Sequence, residues 1–139
     1  PMPAVVVRPS NIYGPYDKFD FAVSHVTAAL VRRVAERQAP VEVWGTGQDI
    51  RDLVYVDDFI DGMLGAFATD LPYLAVNPCA GEGYSVRQIL DTLLRVDDYR
   101  DADVRFDASR PSTMPVRLME NRMARELFGF EAKTPLDEG

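Results

Sequence analysis

The run Ala4-Val5-Val6-Val7, closed by prolines at positions 3 and 9, limits what this chain can fold into more than any other stretch. A continuous β-branched run with no alternation predicts a strand buried on both faces, as in a parallel sheet. Parallel strands need crossover connections, so helices are expected between them. The run leads straight into Arg8-Pro9-Ser10-Asn11-Ile12-Tyr13-Gly14-Pro15, whose turn formers predict a loop.

The rest of the chain alternates accordingly. Val23, Val26, Leu30 and Val34 share one face of a helix from about Ser24 to Arg37, stopped by Pro40. Val41 to Trp44 alternates as a strand, with a turn at Gly45-Thr46-Gly47, and Asp52 to Val56 is a further extended segment. Asp57 offers a side chain to cap a helix to about Ala68. Leu74 to Asn77 is a buried-type strand. Ser85 and Gln88 have the spacing of a capping box opening a helix that ends near Arg95. Val104 to Phe106 is a short strand, and a last helix over about Arg122 to Phe128 ends at Gly129 as its left-handed cap. This order predicts an α/β fold, and with no low-complexity linker, one domain over residues 1–139. The strands are few, and Ala4–Val7 reads as an interior strand whose sheet neighbours lie outside this chain.

Composition narrows the partners. A net charge of -7 argues against nucleic acid, which needs a clustered basic surface. No stretch approaches the roughly 20 apolar residues of a membrane span. The single cysteine, Cys79, is compatible with a cytoplasmic location and reads as a small buried hydrophobe. No cluster of His, Cys and carboxylates has metal-ligand spacing.

Three landmarks occur in order: Arg8-Pro9-Ser10-Asn11-Ile12-Tyr13-Gly14-Pro15, then Trp44-Gly45-Thr46-Gly47 with Arg51-Asp52-Leu53-Val54-Tyr55-Val56-Asp57-Asp58, then Ala124 to Phe130 with Thr134 to Gly139. With them the chain resembles the extended short-chain dehydrogenase/reductases, the NAD(P)-dependent sugar-nucleotide epimerases and dehydratases, across essentially its whole length. Asp17, Phe19, Ser24-His25-Val26, Ala29 to Arg33 and Trp44 resemble the group of GDP-L-fucose synthase and its relatives. Lys18, Thr27-Ala28 and Ser112 depart from that group's pattern, which leaves the sugar open.

The resemblance implies the carboxy-terminal, substrate-binding portion of an extended Rossmann-type enzyme, with the amino-terminal dinucleotide-binding half absent. Pro1, not a natural start residue and set directly against a strand, favours truncation. In the family a Gly-rich loop cradles the dinucleotide and a Tyr-x-x-x-Lys arrangement polarises the ketone. Here no Gly-rich fingerprint follows a strand, and no tyrosine has a lysine four places on. NADP or NAD is therefore expected to bind mainly to the missing half, and the isolated chain to be inactive. The edge of Ala4–Val7 predicts self-association, and a homo-oligomer is expected.

The resemblance implies that the group's GDP-linked 4-keto-6-deoxy sugar is epimerised at two carbons beside a carbonyl and then reduced, with the lone histidine, His25, as acid/base near the nicotinamide. An imidazole suits that work, although His25 also reads as a helix-face residue bonded to Asp20. The resemblance assigns Arg33 to the diphosphate, roughly 12 Å along the helix from His25; Arg32 lies nearer the azimuth of His25. It assigns Arg51 to the diphosphate too, where a planar guanidinium holds two phosphate oxygens; the other reading is a salt bridge with Asp49 or Asp52. Trp44 is expected on the base or sugar, or in the core. Arg110 and Arg117 are expected over the nucleotide or merely solvated. Asn11 is expected on substrate or nicotinamide, or in a turn bonding its own backbone, with Pro9 and Ile12 flanking the nicotinamide. Other readings are a UDP- or dTDP-sugar epimerase or dehydratase, and a non-enzymatic sugar-nucleotide binding module.

Overall fold

The valine run forms strand β1 (Ala4–Val7), one element of a computed structural model that describes residues 2–110 and 114–139. Pro1 and Ser112, both singled out above, lie outside the described residues. β1 pairs in parallel with β5 (Tyr73–Val76), Val5 opposite Leu74 and Val7 opposite Val76. One of the sheet neighbours expected elsewhere is thus supplied by this chain, and β5 is the one strand in the described residues that pairs with β1. Burial on both faces is corrected as well: Val5 and Val7 pack against a core of Ala66, Leu74, Val76, Ala124 and Phe130, while Val6 is 42% exposed.

These strands belong to the first of two compact units, residues 1–14, 52–83 and 118–139; the second comprises residues 15–51 and 84–117. In the first unit the segment expected to be a loop contains a strand. β2 (Asn11–Tyr13) pairs in parallel with the later part of β4 (Ile50–Tyr55), Asn11 opposite Leu53 and Tyr13 opposite Tyr55. Three residues among turn formers carry no periodicity of their own; the strand exists because Leu53 to Tyr55 offers it a ladder.

Helix α2 (Val56–Phe67) follows directly, with Tyr55, not Asp57, as its N-cap. The helix opens two residues earlier than the cap reading required. Asp57 is exposed in the first turn, where a negative charge favours the helix dipole. Asp58 is buried, and its Oδ2 accepts from the Thr134 N–H at 2.9 Å, pinning the C-terminal segment. Gly62 lets Pro78 and Phe130 close on α2: a Cβ there would lie 2.5 Å from the Pro78 Cβ and 2.8 Å from the Phe130 ring. A Gly62→Ala variant gains about 1 kcal/mol of helix propensity but overpacks at a cost of about 1–3 kcal/mol. The expected result is a lower urea midpoint. Helix α4 (Arg122–Phe128) ends at Gly129 with φ 67°, the left-handed cap read from the sequence.

In the second unit α1 (Val26–Ala35) starts two residues later than expected, and His25 is its N-cap residue. Leu30 and Val34 are buried beneath it. β3 (Val41–Trp44) pairs in parallel with β7 (Val104–Asp107). Val41 and Val43 point into the core; Glu42 and Trp44 point out. β6 (Gly83–Ser85) leads into α3 (Val86–Val96). The capping box is formed in full: Ser85 Oγ accepts from the Gln88 N–H at 3.1 Å, and Gln88 Oε1 accepts from the Ser85 N–H at 2.8 Å. The short β8 (Val116–Arg117) pairs in parallel with the start of β4, setting Arg117 opposite Arg51. Among the described residues no helix is long and apolar enough to cross a membrane.

Candidate functional site

Residues of α1 and β3 line a cavity of about 240 Å³ within the second unit. Arg33, Trp44 and Arg51 all line it, together with Phe21, Glu42 and Asp49. Pockets for drug-sized ligands span roughly 300–1,000 Å³, so this cavity suits a small ligand or part of a larger one.

Arg33 reaches the cavity from α1. Its Nη1 donates to the Ala29 carbonyl at 3.3 Å, and its guanidinium lies 4.5 Å from the centre of the Phe21 ring. Burial pushes its pKa below the ordinary arginine value, and the charge of Glu42 opposes that shift. Arg32 is employed elsewhere: Nη1 donates to the Phe19 carbonyl at 2.9 Å, and Nε pairs with Glu36 at 2.7 Å.

Arg51 enters from β4. Its Nη1 donates to the carbonyls of Ile50 at 2.8 Å and Met114 at 2.9 Å, which fix the plane of the fork. Nη2 lies 3.3 Å from Asp49 Oδ2, so the salt bridge with Asp49 exists. Arg117 stands opposite on β8. Two like charges directly across paired strands are destabilising, and an anion between them would relieve that.

Trp44 is 59% exposed, so it does not fill the core. The Arg110 guanidinium covers one ring face at 4.9 Å while pairing with Asp107 at 3.6 Å. Arg117 is exposed. His25 is exposed at the start of α1, between Ser24 and Val26, which both line the cavity. Its side chain caps nothing, and as the N-cap residue it does not sit on a helix face. Phe21 and Glu42 escaped the sequence reading. Glu42 had a signal, the strict alternation that places it beside Trp44.

Pro9, Asn11 and Ile12 belong to the first unit. Pro9 is exposed and Ile12 half-buried. Asn11 is in a strand rather than a turn, and its Nδ2 donates to the Asp52 carbonyl at 2.7 Å. β1 runs into Arg8-Pro9-Ser10 with no glycine-rich turn of the kind that cradles a dinucleotide.

Cys79 is fully buried in the first unit. Burial, and next the Asp52 carboxylate, push its thiol up from 9.0 to about 12. The unfolded chain then loses this proton before the folded one does. Stability therefore falls as pH rises from 9.0 towards about 12. Urea midpoints should decline across that window, and Cys79→Ala should flatten the decline.

The fold is that of the extended short-chain dehydrogenase/reductases over part of their length. A solved structure of UDP-glucose 4-epimerase from Thermotoga maritima, with UDP-glucose, matches 97% of this chain and 42% of its own at a TM-score of 0.84 and 27% identity. The NAD dependent epimerase/dehydratase family matches residues 1–77, and the chain belongs to that family. Over 98% of its length it is 33% identical to the probable GDP-L-fucose synthase 1 of Oryza sativa subsp. japonica, covering 42% of that protein. It is 32% identical to GDP-L-fucose synthase of Escherichia coli (strain K12), covering 45% of it. The chain thus spans less than half the length of these relatives.

Proposed function

We propose that the chain is the sugar-nucleotide-binding part of an NAD(P)-dependent epimerase/reductase acting on a GDP-linked 4-keto-6-deoxy sugar. The observation that carries this reading is one cavity holding two guanidinium groups, Arg33 and Arg51, with an indole ring. The arginines take the diphosphate and Trp44 takes the base. Arg110 and Arg117, exposed near these groups, add positive charge over the nucleotide. His25, free of any capping bond, gives and takes the protons at the sugar carbons beside the ketone. NADP or NAD supplies hydride to the ketone when bound, held mainly by sequence outside this chain. Pro9, Asn11 and Ile12 would meet only its edge. The isolated chain is then inactive, and β1 with its exposed Val6 favours self-association into a homo-oligomer.

Equilibrium dialysis against GDP tests the binding half of this reading. Saturable binding that weakens as salt rises is the expected result, since the contacts are charged. Retention no better than that of free guanosine would sink it. A second reading, a UDP-sugar epimerase, is favoured by the 27% identity to UDP-glucose 4-epimerase; tighter retention of UDP than GDP would select it.

A further inference from the structure

Glu42 is an odd residue for a pocket meant to hold a diphosphate. It lines the same cavity as Arg33 and Arg51, where a carboxylate repels an incoming anion. The neighbouring acid, Asp49, is paired with Arg51 at 3.3 Å. Glu42 makes no such contact: its charge acts on Arg33, but among the described residues no hydrogen bond or ion pair within 4.0 Å reaches its carboxylate. Its opposite residue on β7, Arg105, pairs instead with Asp103 at 2.7 Å. The Glu42 carboxylate, exposed beside an exposed ring, is open to a donor on the ligand.

The strand geometry says where that donor must be. Glu42 and Trp44 share the outward face of β3, about 7 Å apart at the usual rise per residue. That is about the reach of a base lying on the indole with one edge towards the carboxylate. An ionised carboxylate only accepts hydrogen bonds, and it accepts best from two adjacent donors. Guanine presents such a pair, N1–H beside the N2 amino group. Uracil and thymine present one N–H flanked by two carbonyl oxygens, which a carboxylate repels. Adenine presents an acceptor beside its amino group.

We propose that Glu42 reads the base, accepting from guanine N1–H and N2–H, and so makes this cavity select guanine over pyrimidine nucleotides. The inference rests on the nucleotide-site reading above and adds the residue that sets its specificity.

Calorimetric titration of the chain with GDP, IDP and UDP, for the wild type and Glu42→Gln, tests it. IDP keeps N1–H and lacks the N2 amino group. The wild type should bind GDP about 10- to 100-fold more tightly than UDP, with IDP between them. Glu42→Gln, which cannot accept both bonds with one charged group, should bring GDP and UDP close together by weakening GDP alone. Circular dichroism should show the variant folded as the wild type is. Equal binding of GDP and UDP by the wild type overturns the role of Glu42 and leaves the nucleotide site standing. So does a GDP preference that survives Glu42→Gln. Failure of all three nucleotides to bind overturns the nucleotide site and Glu42's role with it.

Discussion

Replacing Arg51 with alanine should weaken GDP binding by about 10- to 100-fold, because one charge-assisted fork to the diphosphate is lost. The side chain is well prepared for that task. The carbonyls of Ile50 and Met114 hold its Nη1 at 2.8 and 2.9 Å, so little rotamer freedom remains to be lost on binding. Arg51→Lys should fall between, since lysine keeps the charge and loses the fork. Arg33→Ala should weaken binding as well, by removing the second cation of the cavity. Stability should respond differently from affinity, because Arg51 faces the like charge of Arg117. Calorimetry at one fixed salt concentration reads the effect. Unchanged GDP affinity in Arg51→Ala would remove the diphosphate from this cavity.

The largest loss of stability is expected at Asp52. This carboxylate is fully buried, and Oδ2 accepts from the backbone N–H groups of Gly81 at 3.2 Å and Met119 at 3.3 Å. Alanine would leave both donors without their acceptor inside the first unit. A loss of about 2–4 kcal/mol follows from the cost of unmade bonds to a charged group. Asp52→Asn keeps one carbonyl acceptor of the same shape and should lose about half as much. Either change also removes the charge that helps hold the Cys79 thiol neutral. The thiol should therefore ionise at lower pH in both variants, while burial, the larger cause, keeps it above an exposed cysteine. Urea unfolding gives the first quantity and the pH dependence of thiol alkylation the second. An Asp52→Ala protein as stable as the wild type would show that those N–H groups find other partners.

What the sequence revealed and what it hid divide along a physical line. Signals local in the chain were legible. The Ser85–Gln88 capping box and the Gly129 cap follow from residues within one helical turn, and both are formed. The parallel pairing of the valine run followed from its β-branched composition. Features set by distant partners were hidden. β2 exists through its pairing with Leu53 to Tyr55, and Asn11 bonds a carbonyl 41 residues away. Asp57 looked like a cap because Asp is a good one, yet strand β4 runs into α2 with no room for a capping turn. The two compact units interleave along the chain, so no linker marks them. In the candidate site Arg33, Trp44 and Arg51 were named from sequence and share a cavity, whereas Phe21 and Glu42 were not. Glu42 and Trp44 share a face of β3, and only the fold brings Arg33 of α1 and Arg51 of β4 to the same cavity.

Trp44 is the only tryptophan, so its emission reports the candidate base site without a label. Titrating the chain with GDP while following that emission shows whether the nucleotide reaches the indole. A saturable change that disappears in Arg51→Ala is the predicted result. An emission that stays constant while GDP demonstrably binds would place the nucleotide away from Trp44 and Arg51.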